Sequence, residues 1–393
     1  MKITVITQHF EFGGLETQIL GYARCLLKRG HEVSFVVGSG SHLAPLRDLV
    51  GNRILSVDFR PPLKGHRALG LIEKIAHFCR ERKTEVLHLH PFITSTLGAL
   101  AAARMSLPFL LTLHGPGNLD VALNPPEQQV LDQVVLREAA MIFCVSRELV
   151  ELARSRQPAA NCVWLPNGID VERFAPLSTT PGGDWAVVSR MDARKVRGIK
   201  HILEKLFLLP DRGFQVRLFG DGPERVSLAD WVARQPFRQR VKFEGISWNL
   251  PADLPRGIAG GAGQARALLE LAAMGLPTIL VNEEGVKGLL RPERMSLLQA
   301  SNFSGRDLPN LGEREFLDQM ADLVTHPASY DLRPWVIEHA NEEIIWDRYL
   351  QLLNTLGPSD YTLSRALLKR LARHPRKDLF ARVYWEKKSV IRP

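Results

Sequence analysis

Residues 1–37 read MKITVITQHFEFGGLETQILGYARCLLKRGHEVSFVV, and this stretch decides the fold class. Residues 2–7 form a short β-rich run, and apolar residues recur at helical spacing through 15–29. Gly30 ends that predicted helix, and a second β-rich run follows at 33–37. The order strand, helix, strand predicts an α/β protein with a parallel, doubly wound sheet.

The same alternation continues along the chain in two series. The predicted strands of the first series are 85–90, 109–115 and 141–146, and those of the second are 185–190, 214–220, 240–245 and 278–281. Between the series, the turn-rich segment LSTTPGGD is the best linker candidate. We therefore expect two Rossmann-like domains facing a cleft, with ligands bound at the carboxyl ends of their strands.

Four segments follow from these patterns. Residues 1–177 and 178–335 are the predicted domains, 336–357 belong to a closing helix that crosses back, and 358–393 form a basic tail. The tail carries ten Lys and Arg against three Asp and Glu, so it holds +7 of the net charge of +9. Its helix TLSRALLKRLAR places leucines on one face and cations on the other.

Two readings of the tail stay open. The helix could lie on an anionic membrane surface, which would make the protein peripheral on the inner face of the membrane. It could equally pack on the N-terminal domain with its cations in water. Nucleic acid is not expected as a partner, because no binding motif accompanies the charge.

Composition limits the compartment. The chain is 45% hydrophobic and 24% charged, which indicates a folded protein, and its most apolar window is interrupted by Arg104 and Pro108. The four cysteines show no CxxC spacing, so we expect buried thiols in a reducing cytoplasm. No signal sequence is apparent at the N-terminus. The expected location is cytoplasmic.

Seven short motifs occur in an order that resembles the family-4 glycosyltransferases of GT-B fold. They are GGLE at 13–16, LHLH at 87–90, TLHG at 112–115, PNGID at 166–170, SRMDARK at 189–195, GDGP at 220–223 and LLELAAMGLPTILV at 268–281. The resemblance covers residues 1 to about 355 and implies transfer of a sugar from a nucleotide-diphosphate donor with retention of configuration, usually without a metal. It also implies that the N-terminal domain binds the acceptor and the C-terminal domain binds the donor.

Arg190 and Lys195 are the predicted catalytic and donor-binding cations. Arg190 ends a predicted strand, and Lys195 follows at the separation of the family's Arg…Lys motif. A leaving diphosphate gains negative charge as the sugar bond breaks, so fixed cations lower the barrier. The alternative is a solvated basic loop.

Gly13 and Gly14 follow the first strand, where backbone without a Cβ can approach a phosphate. The alternative explanation for the two glycines is a tight turn whose backbone needs glycine. No GxGxxG is present, so a dinucleotide cofactor is disfavoured. Glu16 matches an acidic position that the family directs toward the acceptor, although a carboxylate at a helix start is also favoured by the helix dipole.

The resemblance assigns His114 to the donor sugar as a catalytic residue, and His90 to the acceptor side. Both lie at the end of predicted strands. His88, two residues before His90, is expected to be a packed neighbour. Because no third ligand is near and no DxD occurs, we expect neither a metal nor any other cofactor.

The resemblance implies that Glu270 is the ribose clamp of the nucleotide, a role that the two oxygens of a carboxylate suit because the ribose has two hydroxyls. The family often has a second Glu eight residues earlier, where this chain has Ala262. Some members instead have a glycine-rich loop and an Arg four residues before the Glu, which here gives Gly263 and Arg266 as donor-binding residues. An ordinary surface ion pair between Arg266 and Glu270 is the alternative.

The leading hypothesis is a metal-independent, hexosyltransferase-like enzyme that transfers a sugar to a glycan or lipid-linked acceptor in cell-envelope or surface polysaccharide synthesis. A nucleotide-sugar epimerase of the same fold is a second hypothesis. A pseudo-transferase that binds a sugar nucleotide without turnover is a third, for which Ala262 is the supporting feature.

Overall fold

The computed structural model describes residues 1–11, 13–39, 42–120, 125–210, 213–357 and 359–380. Contacts divide the chain into two units. The first consists of Met1–Glu11, Ile19–Pro166 and the chain from Trp346 onward, and the second of residues 12–18 and Asn167–Ile345. The predicted domain limits at 177, 335 and 357 divide the chain by expected function, and they stay predictions.

The first unit is built on a parallel sheet of seven strands in the order β3-β2-β1-β4-β5-β6-β7. Its strands are β1 (Lys2–Thr7), β2 (Glu32–Gly38), β3 (Ile54–Val57), β4 (Val86–Leu89), β5 (Phe109–Leu113), β6 (Met141–Cys144) and β7 (Cys162–Trp164). Its helices are α1 (Gly14–Lys28, whose first residues group with the second unit), α2 (Ala44–Val50), α3 (Gly65–Glu81), α4 (Ile93–Met105), α5 (Pro125–Val130), α6 (Leu136–Glu138) and α7 (Arg147–Arg156). The strands are almost wholly apolar because helices cover both faces of such a sheet.

The second unit has a sheet of six strands in the order β10-β9-β8-β11-β12-β13, of which the last pair is antiparallel. Its strands are β8 (Asp184–Val188), β9 (Val216–Phe219), β10 (Val241–Gly245), β11 (Ile258–Gly263), β12 (Thr278–Asn282) and β13 (Gly285–Leu289). Its helices are α8 (Lys195–Leu206), α9 (Arg225–Ala233), α10 (Leu250–Asp253), α11 (Arg266–Ala273), α12 (Pro292–Gln299), α13 (Glu313–Thr325) and α14 (Arg333–His339). The α/β fold class is confirmed.

Strand β11 was not predicted, because its sequence IAGGAG lacks strand-forming residues. Packing explains the glycines. A Cβ on Gly260 would come within 2.6 Å of the Trp185 ring, and one on Gly261 within 2.7 Å of the Leu271 side chain. This glycine-rich strand can lie at the centre of the sheet because Trp185 and Leu271 fill the space that larger side chains on the strand would need. Strand β13 was also missed.

The closing helix predicted at 336–357 is not continuous, because it is interrupted at Ala340 and Asn341. Ile169 donates its N–H to the carbonyl of Ala340 at 2.7 Å and accepts the N–H of Glu342 at 2.9 Å. This backbone pairing with the PNGID segment replaces the helical bonds. The chain then continues as α15 (Glu342–Leu353).

The tail helix α16 (Thr362–Arg373) packs on the first unit. Leu367 and Leu371 belong to that unit's hydrophobic core, and Glu138 accepts the N–H groups of Leu363 and Ser364 at the start of the helix. The reading in which the leucine face enters a membrane is therefore wrong, because that face is already buried. Residues 358 and 381–393 of the predicted tail lie outside the described residues.

Two further expectations concern the whole chain. In the part that the structure describes, no helix is long and apolar enough to cross a membrane. Cys25, Cys79, Cys144 and Cys162 are buried free thiols, as predicted.

Candidate active site

A loop after β8 carries the two predicted cations of the second unit. Asp192 accepts the backbone N–H groups of Arg194 and Lys195 at 3.1 and 3.0 Å, and this begins helix α8 at Lys195. The GDGP motif supports the loop, because a Cβ on Gly220 would lie 2.0 Å from the carbonyl oxygen of Ser189. Glycine in this motif therefore lets the backbone at position 220 pack directly against the chain that leads into the loop.

Lys195 is held at the end of β11. Its Nζ donates to Oε1 of Gln264 and lies 3.7 Å from Oε2 of Glu283. Burial lowers the pKa of the Lys195 ammonium, and the Glu283 carboxylate opposes that effect. Burial would raise the pKa of Glu283, but the Arg194 guanidinium, the backbone and Lys195 outweigh it and bring that pKa to about 2. The ammonium thus keeps a fixed ionised partner.

Arg190 differs from Lys195 in its surroundings. Its side chain is 63% exposed, and its guanidinium lies 3.6 Å from the Asp192 carboxylate. Such an exposed pair contributes little to stability. The Arg190 side chain can therefore move toward an anion, whereas the Lys195 ammonium is held in place before an anion binds.

The glycine pair lies against the arginines of this unit. A Cβ on Gly13 would be 3.6 Å from Cδ of Arg190, and one on Gly14 would be 3.6 Å from Cβ of Arg266. Both distances are ordinary van der Waals contacts, so neither arginine would exclude a Cβ from these positions. The structure brings Gly13, Gly14, Arg190 and Arg266 together although they are far apart in sequence. Glu16 lies beside Gly13 on the same segment.

Glu270 and Arg266 form a buried ion pair in α11. Nε of Arg266 donates to Oε1 of Glu270 at 2.8 Å, and its Nη1 donates to the carbonyl of Gly168 at 2.6 Å. Burial raises the pKa of Glu270, and the charges of Arg266 and Arg173 act in the opposite direction. Two guanidinium nitrogens are engaged inside the protein, so the geometry favours Arg266 as the residue that orients Glu270.

Ala262 was interpreted as the place of a missing sugar-binding Glu, and this interpretation is wrong. Its side chain is fully buried within the core of the second unit, where it lies among Val187, Ile279 and their neighbours. A carboxylate at that position would enter the core. Gly263 ends the same strand, and Gln264 and Ala265 lead into α11 with Ala265 at a φ of 53°.

Sequence reasoning missed two polar residues of this site. One is Gln264, which accepts a hydrogen bond from Lys195 and donates one to the carbonyl of Ser304 at 2.7 Å. Glu283 directly follows β12, so its place at the carboxyl end of a strand was the available signal.

Three histidines form a row at the carboxyl edge of the first unit's sheet. The rings of His88 and His90 stack at 4.9 Å between centroids, and those of His90 and His114 at 5.1 Å. Nδ1 of His90 and Nε2 of His114 share a hydrogen bond of 2.9 Å. The structure thus brings the two predicted histidines together within one unit.

The row is uncharged near neutral pH. Burial lowers the pKa of His88 to about 3 and that of His114 to about 4, and it lowers that of His90 well below its usual value. His88 is packed as expected, with Nε2 on the Thr112 hydroxyl at 2.7 Å and Nδ1 on the Tyr349 hydroxyl at 3.2 Å. Neutral imidazoles suit hydroxyl groups better than phosphates.

The loop after His114 is fixed by Asn118, whose Oδ1 accepts the N–H of His114 at 2.6 Å and that of Gly115 at 3.1 Å.

Within the described ranges, no group of three or more His, Cys, Asp or Glu could hold a metal ion. Independence of a metal stays a prediction.

Comparisons with known proteins fit this geometry. Residues 12–173 match the model of Glycosyltransferase Family 4. One subunit of the phosphatidylinositol N-acetylglucosaminyltransferase of Arabidopsis thaliana is 26% identical over 407 residues, which cover 95% of this chain and 85% of that protein. The D-inositol 3-phosphate glycosyltransferase of Xylanimonas cellulosilytica is 28% identical over 185 residues, which cover 42% of this chain and 44% of that protein.

A solved structure shows the same fold. The crystal structure of Anabaena HepE in complex with UDP and glucose superimposes with a TM-score of 0.70 at 15% identity, covering 91% of this chain and 100% of that one. The fold and the relatives together define the chain as a glycosyltransferase built from two Rossmann-like domains. The family model and the relatives confirm the resemblance to the family-4 glycosyltransferases that the motifs carry.

Proposed function

We propose that the chain transfers a sugar from a nucleotide-diphosphate donor to a hydroxyl of a lipid-linked or glycan acceptor, with retention of configuration. The observation that carries this proposal is the restrained ammonium of Lys195, held by Gln264 just before the N-terminus of α11. The first N–H groups of a helix have no partner within it and favour an anion, so the ammonium and the helix end favour the same diphosphate.

The ion-paired carboxylates support a retaining transfer that forms no covalent enzyme intermediate. Glu270 is paired with Arg266, and Glu283 with Arg194 and Lys195, so neither of these two is an unpaired nucleophile. In a front-face transfer the bond from the sugar to the diphosphate breaks while the bond to the acceptor oxygen forms on the same face. The acceptor proton then moves to the leaving phosphate oxygen, and no enzyme carboxylate is consumed.

The experiment compares three variants in a transfer assay. Lys195→Ala should lower kcat by roughly 10²–10³-fold, because it removes a preorganised charge at the leaving group. Arg197→Ala removes an exposed cation two residues away and should leave kcat unchanged. Unchanged kcat in Lys195→Ala would overturn the proposal. Isomerised donor formed without any acceptor would instead support an epimerase.

The names of both curated relatives contain inositol, so inositol-bearing acceptors are the first to test. The donor screen would use thermal shifts with nucleoside diphosphates, because a ligand that binds the folded state stabilises it before any acceptor is known. UDP and UDP-sugars come first, since UDP is the nucleotide in the structural relative. A role in cell-envelope or surface polysaccharide synthesis is part of the same proposal and would require a lipid-linked or glycan acceptor.

We further propose that the exposed cations of the tail hold the protein on the cytoplasmic face of an anionic membrane. Arg365, Lys369 and Arg373 are exposed on α16, while its leucines are buried in the first unit. Attraction would therefore be electrostatic alone, about 1 kcal/mol per cation near the surface, and weakened by salt.

Truncating the tail cannot test this, because it would remove core residues such as Leu371. The charge reversal Lys369→Glu/Arg373→Glu keeps the core and should abolish co-sedimentation with phosphatidylserine vesicles. Arg225→Glu/Arg314→Glu reverses two exposed cations of the second unit and serves as the matched control. Equal sedimentation of both double variants would contradict a tail contact.

A further inference from the structure

Phe92 has two unusual properties at the carboxyl edge of the first unit's sheet. It follows His90 and Pro91 directly after β4, and its side chain is 50% exposed. Its backbone has a φ of 77° and a ψ of −142°, a region that is essentially reserved for glycine. A phenyl ring at this position is thus exposed and held by a strained backbone.

The surrounding residues keep this conformation in place. The buried Thr94 hydroxyl donates to the carbonyl of His90 at 2.8 Å, and the Ser95 hydroxyl donates to the carbonyl of Phe92 at 2.7 Å. The N–H of Ile93 donates to Oε1 of Gln8, which follows β1, at 3.3 Å. Strain that neighbouring bonds maintain in this way is found mainly at functional sites.

The surroundings of the ring indicate what it could contact. Within the described part of the first unit, Met1 is the only other large hydrophobic residue that is exposed to a comparable degree. A long acyl chain would need a continuous apolar groove. The neighbours at this edge are instead Gln8 and the neutral imidazoles of His90 and His114.

We propose that Phe92 is an acceptor-binding residue whose phenyl face packs against a cyclic polyol, meaning a pyranose or inositol ring of the acceptor. Such a ring carries C–H groups on its faces and hydroxyls around its rim. The negative face of a phenyl ring attracts the C–H groups, while neutral polar side chains at the same edge suit the hydroxyls. This inference rests on the proposed function and names the acceptor group that the first unit recognises.

The test uses Phe92→Gly in the full chain. Glycine adopts the observed φ and ψ without strain, so the variant should melt a few degrees higher than the wild type. The same change removes the phenyl face, so binding of the ring should be lost. If Phe92 had only a structural role, its replacement by glycine would not raise the melting temperature and weaken ring binding at the same time.

Binding is read by saturation-transfer NMR with D-inositol 3-phosphate and a set of methyl glycopyranosides as probes. We expect transfer to the ring C–H protons of at least one probe in the wild type and in Phe92→Tyr, and its loss in Phe92→Gly and Phe92→Ala. Lys83→Gly relieves a positive φ of 52° at an exposed site and should leave binding unchanged.

Two outcomes would overturn the proposal. One is transfer of equal strength in Phe92→Gly and in the wild type, and the other is the absence of ring binding by any probe. A failure of the proposed function would look different, because ring binding that depends on Phe92 would persist while no sugar is transferred to any acceptor.

Discussion

The two units place very different chemistry at their candidate sites. In the second unit, Arg190, Lys195, Arg266 and Glu270 all form ion pairs, and three of them are partly or wholly buried with their partner. In the first unit, His88, His90 and His114 form a row whose pKa values are lowered by burial, so the row carries no charge near neutral pH.

The difference shows how each unit could select its ligand. A diphosphate has a permanent charge and needs cations whose positions are fixed before it arrives, which Gln264 and Glu283 provide for Lys195. A sugar or acceptor hydroxyl is neutral, and a charged imidazole next to it would instead attract phosphate. Burial of the histidines is therefore a means of keeping one site neutral.

The strongest perturbation is Ala262→Glu, which tests where the second unit can carry a charge. An unpaired carboxylate in the core, together with overpacking, should cost roughly 4–8 kcal/mol of unfolding free energy. Ala321→Glu, the same change on the exposed side of α13, should alter it by less than about 0.5 kcal/mol. Urea unfolding measures both. Equal stabilities would mean that position 262 faces solvent and can serve as a sugar-binding position.

Arg266→Met breaks the buried pair and should cost about 3–5 kcal/mol, because the Glu270 carboxylate is left without its partner. Without the arginine the pKa of Glu270 rises further, so UDP affinity should become pH-dependent and increase as the pH rises and the carboxylate ionises. Calorimetric titration with UDP at several pH values measures this change.

The double variant Arg266→Met/Glu270→Leu separates stability from binding. Two apolar side chains should restore most of the stability, since no charge remains buried. If Glu270 is the ribose clamp, UDP binding should stay weak at every pH in this variant. Recovery of UDP binding in the double variant would exclude Glu270 as the ribose clamp.

Much of the fold could be predicted from sequence, since strands such as β1, β2 and β8 are short β-rich runs that alternate with helices. Strand β11 could not, because its glycines are explained by Trp185 and Leu271, which contact them only in the folded chain. The break between α14 and α15 has the same kind of cause, a backbone pairing with Ile169 from a distant segment. Local sequence patterns carry no information about such contacts between distant segments.

The candidate site was predictable to a similar extent. Residues at strand ends, such as Arg190 and His114, were found because parallel sheets place their sites there. The partners of these residues were not, since Gln264 and Glu283 are ordinary polar residues until the fold brings them to Lys195. Two readings of the leucine face of α16 stayed open at the level of sequence, because amphipathicity alone does not tell a membrane surface from a protein core, and the structure supports packing on the first unit.

The histidine row predicts a pH dependence of stability in the first unit. Histidines of the unfolded chain take up protons below about pH 6.5, whereas the folded row resists protonation until its lowered pKa values are reached. The unfolding free energy should therefore fall as the pH drops below about 6.5, by about 1.4 kcal/mol per pH unit for each histidine.

His88→Gln keeps a side chain that can hydrogen-bond Thr112 and Tyr349 but removes one titrating group. Its loss of stability between about pH 6.5 and about pH 5 should be smaller than that of the wild type by one histidine's share. His201→Gln, on the exposed side of α8, is the control. If His88→Gln shows the same pH slope as the wild type, the row is not neutral in the folded state.

The smallest effect on stability is expected for Arg190→Ala. Its guanidinium is 63% exposed and 3.6 Å from Asp192, so the urea midpoint should correspond to a change below about 0.5 kcal/mol. The donor KM should nevertheless rise by about 10-fold, because an exposed cation close to the Gly13 backbone is free to contact the diphosphate. Steady-state kinetics with a varied donor measures this rise. If stability falls while KM stays constant, Arg190 serves the loop rather than the ligand, and the contrast between a charged donor site and a neutral acceptor site would depend on Lys195 alone.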